Sequence, residues 1–193
     1  MTMKATALAA LAAALLLSGC FGGGPRELLT LRPAQTPPVQ TPRTAGPGEA
    51  LTIVEPTVPQ ALRADRIAVY VEPQTVQYLK DAYWAENPGR LFRHLLSEVI
   101  AASTGRVLLD PAQFTHDPGT RLTGQLHMFG LDEARMEAVV LYEAALAPRQ
   151  GAVTTNRFEA RVPVAGVEPA QVAPALNEAA NRVAAQVAAW VGR

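Results

Sequence analysis

The 193-residue chain balances 17 Lys and Arg against 17 Asp and Glu and carries no basic block, which argues against nucleic acid as its main partner. A single cysteine rules out an intrachain disulfide, and an apolar fraction of 49% is enough for one domain held together by packing. Beyond residue 19 no stretch reaches membrane-spanning length without charge or proline.

Residues 1–19 have the layout of an export signal. Lys4 supplies the charge, Ala5 to Leu17 the apolar run, and small Ser18 and Gly19 precede Cys20. The run is too short and weak for a comfortable spanning helix. Leu17-Ser18-Gly19-Cys20 reads as a bacterial lipobox, in which the thiol receives a diacylglyceryl group through a thioether and cleavage leaves Cys20 as the first mature residue. The alternative, an ordinary secretory signal with a buried free cysteine nearby, explains the lone thiol less well. One acyl chain holds a protein only marginally, at about 0.8 kcal/mol per buried methylene, so durable attachment calls for two or three palmitate-like chains. Phe21 occupies the position where Asp commonly retains a lipoprotein in the inner membrane, which points to the periplasmic face of the outer membrane.

Residues 20–27 then form a lipidated, Gly-rich tether, and 28–193 a single domain that contains a Pro-rich loop at 33–48. The alternative treats everything before residue 49 as linker. LLTLR at 28–32 is a short strand candidate, and regular structure resumes at ALTIVEP. Ile67, Val69 and Val71 alternate with Ala68, Tyr70 and Glu72, the period of a strand. Glu72-Pro73-Gln74 turns the chain into a second strand, a hairpin in which Val76, Tyr78 and Lys80 share one face. Over 86–103 the period changes: Leu91, Phe92, Leu95, Leu96, Val99 and Ile100 make one stripe of an amphipathic helix. Asn87 suits its N-cap, Pro88 its first position and Gly105 its stop.

RVLLD at 106–110 is a short strand, and three longer ones follow as an antiparallel meander with one covered face. Leu122, Gly124, Leu126 and Met128 face inward from the first of these. The second offers Met136, Ala138, Val140, Tyr142, Ala144 and Leu146, and the third Phe158, Ala160, Val162 and Val164. ARMEAVVLYEAALA also has high helix propensity, but its place between two alternating segments favours strand. Val172, Leu176, Ala179, Val183, Val187, Trp190 and Val191 form the stripe of a terminal helix laid on the sheet, or on a partner through Trp190. The expected fold is therefore a single α/β domain, a mixed or mainly antiparallel sheet covered by two amphipathic helices.

No catalytic constellation stands out. His94, His116 and His127 lack metal-ligand spacing, Ser97 and Ser103 lack a nucleophile elbow, and Gly22-Gly23-Gly24 lies outside any strand–helix phosphate cradle. Asp65, Asp81, Glu86 and Asp117 read as solvated carboxylates, so the chain is expected not to be an enzyme. Tyr70, Tyr78, Tyr83 and Trp84 cluster before the first helix. Buried, they lock the hairpin onto that helix. Exposed, they make an apolar patch suited to a protein partner or to lipid. Trp84 is read first as a core plug, although it stands with Tyr78 and Tyr83 among the candidate partner contacts. In an extended strand Tyr83 points away from Trp84, which makes it the better contact.

In this order these features make the chain similar to the ABC-type transport auxiliary lipoprotein family: the lipobox cysteine, LLTLR, the Pro-flanked stretch, the alternating strand, Tyr78 and Trp84-Ala85-Glu86 at the helix start, and the closing AAQVAAWV. The resemblance implies an α/β domain, no catalytic residues and no cofactor beyond the covalent lipid on Cys20. It also implies a docking role beside an MCE-type periplasmic protein of a lipid transporter, with the membrane reached through the anchor and phospholipid as a further candidate partner. ATP hydrolysis falls to another subunit, since no Walker motif is present. Direct lipid carriage and a structural cell-envelope role are the rival functions; the small residues Ala175, Ala179, Ala180 and Ala184 at the expected helix–sheet contact speak against an open lipid pocket.

Overall fold

A computed structural model describes residues 27–35, 42–46, 49–72, 74–110 and 119–192. In chain order the elements are β1 (Leu28–Leu29), β2 (Leu51–Ile53), a 3-10 turn (Gln60–Leu62), β3 (Arg66–Glu72), β4 (Thr75–Trp84), α1 (Pro88–Thr104), β5 (Leu108–Leu109), β6 (Thr120–Asp132), β7 (Glu137–Ala147), β8 (Thr154–Pro163) and α2 (Pro169–Val191). The strands form one open mixed sheet. β6 is its spine. Along one edge β6 pairs antiparallel with β7, which pairs with β8. Its other edge is shared by two parallel neighbours, β2 at Thr120–Leu122 and β3 at Gly130–Asp132. From β3 the sheet continues through antiparallel β4 to parallel β1, and from β2 to parallel β5.

The first helix forms where its punctuation places it. The Asn87 side-chain oxygen accepts from Gly89 N at 2.9 Å, and the same side chain donates to the carbonyls of Leu62 and Arg63 at 3.3 and 3.2 Å. Asn87 thus caps the helix and staples the 3-10 turn to it. Gly105 ends the helix at φ 69°, a conformation open to glycine without penalty. Leu91, Phe92, Leu95, Leu96 and Ile100 are buried, while Val99 is only half-buried. In α2 the residues Val172, Leu176, Ala179, Val183, Val187 and Val191 are buried, with Trp190 half-buried against Phe158. Both helices pack on the same face of the sheet as Trp84, Phe129, Tyr142 and Phe158. Alanines at the α2–sheet contact let the backbones approach closely.

Three expected alternations change where the backbone departs from a regular strand. A register shift between Leu126 and Met128 in β6 leaves Met128 half-buried, and Phe129 and Leu131 take the core positions instead. Met136 sits at φ 52° in the β6–β7 turn rather than on an inner strand face, and Leu146 is half-buried near the far end. The meander also buries more than one face. Ala68, Val139 and Leu141 are buried although register places them opposite the helices, on the face of Tyr70, Asp132 and Arg161. Tyr70 spans this second face, its hydroxyl accepting from Phe129 N at 3.1 Å beside the β6 irregularity. Gly130 is required there, since a Cβ would stand 2.1 Å from the carbonyl oxygen of Ala68.

Candidate functional site

Cys20, His116 and Asp117 lie outside the described residues. The aromatic span lies within them, and the fold sorts its members. Trp84 is 2% exposed, its ring centre 5.3 Å from that of Phe129, so it serves as the core plug and has no surface to offer a partner. Tyr78 is 37% exposed and donates from its hydroxyl to the Ala61 carbonyl at 3.1 Å. Tyr83 is half-buried and stands between Leu28 and Arg66 across the sheet.

Tyr78 and Tyr83 are an odd number of residues apart, which in a regular strand would place them on opposite faces. β4 is not regular. Opposite the step from Arg66 to Ala68 it runs from Tyr83 to Tyr78, and Asp81 within this bulge adopts φ 52°. Asp tolerates the left-handed region better than most residues. The bulge turns both rings toward one guanidinium: Arg66 lies 5.4 Å from the centre of the Tyr78 ring and 5.6 Å from that of Tyr83. Its Nη2 donates to the Leu79 carbonyl at 3.0 Å. Cation–π attraction to both rings holds the hydrogen-bonded guanidinium beside the two tyrosines on the face away from the helices. Lys80 is exposed beside the bulge; the face it was expected to share with Val76 and Tyr78 is the solvent-facing one, while Leu79, Ala82 and Trp84 turn inward.

Two polar constellations escaped the sequence reading. Asn177 and Asn181, one turn apart on α2, receive the segment that follows β1: Arg32 N donates to Asn177 Oδ1 at 2.8 Å, Ala34 N to Asn181 Oδ1 at 2.7 Å, and Asn181 Nδ2 to the Arg32 carbonyl at 2.8 Å. The signal was present, as two amides at helical spacing in an otherwise alanine-rich stretch. On the other sheet face, Arg161 of β8 bonds Asp132 of β6 at 2.9 Å and Glu137 of β7 at 3.3 Å, and also holds Glu159. Arg135 closes on the same Asp132 oxygen at 2.9 Å. Burial pushes the Asp132 carboxyl up, but the hydrogen bonds from Arg161 and Arg135 outweigh it and hold the group below its ordinary value. Burial likewise opposes the charge on Arg161, and its carboxylate partners raise its pKa regardless. This network joins three strands. His127 stands 3.3 Å from Glu143, and His94 lies exposed on α1. Among the described residues no helix is long and apolar enough to cross a membrane.

Compared with known families, residues 29–188 match the model of the ABC-type transport auxiliary lipoprotein component. The chain belongs to that family. It is accordingly an accessory, non-catalytic component associated with an ABC-type transport system. A crystal structure of a Xanthomonas campestris protein superposes with TM-score 0.64 at 20% identity, over 84% of this chain and 90% of that one. A crystal structure of an uncharacterized protein gives TM-score 0.67 at 14% identity, over 86% of this chain and 99% of that one. At these identities the likeness is one of fold. A search of curated protein sequences finds no match.

Proposed function

We propose that this auxiliary lipoprotein serves an MCE-type lipid transport system. It is anchored through a lipidated Cys20 to the periplasmic face of the outer membrane, where it docks a periplasm-spanning partner. The observation that carries the reading is the family match beginning at residue 29, close behind a lipobox whose cysteine is the only one in the chain. Docking is favoured over lipid carriage by the interface between α2 and the sheet, where Ala175, Ala179, Ala180 and Ala184 are all buried and close-packed.

The test has three readings in one strain. Mass spectrometry of the membrane-bound protein is expected to find Cys20 as the modified N-terminus, and Cys20→Ser to release the folded domain into the soluble periplasm. Density-gradient fractionation is expected to place the wild type with outer-membrane markers. Pull-down of the anchored chain is expected to recover an MCE-type protein. An unmodified N-terminus refutes the anchor, co-sedimentation with inner-membrane markers refutes the location, and a pull-down without MCE protein refutes the partner.

A further inference from the structure

Five large apolar residues are exposed among those described: Leu28, Val76, Tyr78, Val153 and Val167. Three of them gather on one strip. Leu28 of β1 pairs across Tyr83 to Arg66, and Arg66 lies within cation–π distance of both Tyr83 and Tyr78, with Val76 further along β4 on the Tyr78 side. Beyond the two-residue contact with β1, the outer edge of β4 carries no neighbouring strand among the described residues. We propose that this strip, Leu28 to Val76, lies against the surface of the membrane that holds Cys20. The inference rests on the anchor reading above and extends it by assigning the face that meets lipid.

The chain itself supplies the argument for this occupant. Leu28 is both part of the strip and the point where the tether enters the fold. Cys20 precedes it by eight residues, so a fully extended tether spans at most about 26–29 Å. Since β1 runs parallel to β4, the chain enters β1 from the Thr75 end, on the side of Val76 and Tyr78. Eight residues also separate Thr75 from Tyr83, about the same length at roughly 3.3 Å each before the bulge shortens it. The anchor therefore keeps the strip within a tether's length of the headgroups, whereas the β7–β8 turn with Val153 lies at the opposite end of β6.

The chemistry of the strip suits that boundary. Val76 and Leu28 are apolar, and Tyr78 presents an aromatic body with a hydroxyl held by Ala61. Arg66 and Tyr83 place a cation and a second amphipathic ring behind them. Tyrosine rings and snorkelling cations are the groups that settle at a headgroup layer. Lys80 and Asp81 offset one another at the edge, so apolar and aromatic contact supplies the attraction more than net charge does.

The experiment uses the mature lipoprotein carrying Val76→Cys, or Val153→Cys as the distal control, in vesicles of phosphatidylethanolamine and phosphatidylglycerol. A lipidated Cys20 offers no thiol, so a nitroxide label goes to the new cysteine alone, and intact mass verifies both modifications. The expected result is a several-fold loss of collision with a water-soluble nickel chelate at position 76, relative to the same label on the soluble Cys20→Ser domain, with position 153 unchanged in the same comparison. Equal accessibility at the two positions on a chain with a verified lipid overturns the inference and leaves the anchor standing. Absence of the lipid mass overturns both. Protection of position 76 that appears only on adding the MCE protein overturns the membrane assignment and gives the strip to a protein partner.

Discussion

Trp84 shows how much one side chain carries when the fold places it at a junction. It closes the end of β4 beside Leu29 of β1, touches Phe129 of β6 and comes three residues before the α1 cap. Trp84→Ala is expected to cost about 3–5 kcal/mol in denaturant unfolding, the range for removing a large aromatic from a core. Its indole Nε1 finds no acceptor in the protein. Trp84→Phe therefore removes an unsatisfied donor together with some volume and is expected to cost distinctly less than the alanine variant. Equal losses in the two variants would mean that the indole N–H contributes and that the packing account is incomplete. At this scale the sequence left two roles for Trp84, since burial is a property of what surrounds a residue and not of its type.

Among the elements, the helices follow directly from local sequence, and the faces of the strands do not. α1 begins at Asn87-Pro88 and ends at Gly105 because capping and stopping use backbone groups within one turn of those residues. Leu95 and Val183 sit in the buried stripes of α1 and α2 at 2% and 0% exposure. Leu95→Ala is expected to destabilise by about 2–5 kcal/mol. Val183→Asp is expected to be worse, because an unpaired carboxylate enters an apolar interface. Urea titration of the soluble domain checks both, and a loss within about 0.5 kcal/mol at either position contradicts its place in the core. Strand faces were harder to read, because the shifts after Leu126 and around Asp81 each reverse the alternation that follows. Nothing in residue type announces the first, while Asp81 gives only a weak hint through its tolerance of positive φ.

For the molecule as a whole, pH dependence tests the network that binds β6, β7 and β8. The folded Asp132 carboxyl titrates below its ordinary value of 3.8, so its contribution is complete above that value and is lost as pH falls through it toward the lower folded one. Asp132→Asn is expected to cost about 1.5–3 kcal/mol near neutral pH, the scale of hydrogen bonds to charged groups. The gap between variant and wild type is expected to close as pH falls below the ordinary carboxylate range. Thermal unfolding of both proteins from pH 7 down to pH 3 measures it, and a constant gap contradicts the assignment. The same network explains why Val139 and Leu141 are buried on a face without helices: long charged side chains that bond one another cover the apolar strand beneath them.

By itself the sequence determined both helices and the ends of the first, the β3–β4 hairpin, the closing meander and the family, because each rests on contacts between near neighbours or on a linear motif. It also named the residues of the aromatic span. Only the tertiary structure decided their assortment, sending Trp84 to the core and both tyrosines to Arg66. It likewise divided one edge of β6 between β2 and β3 and brought Asn177 and Asn181 to the segment after β1. These outcomes depend on residues far apart in the chain meeting in a particular register. A single extra residue in a strand changes that register without changing the local pattern from which a sequence is read.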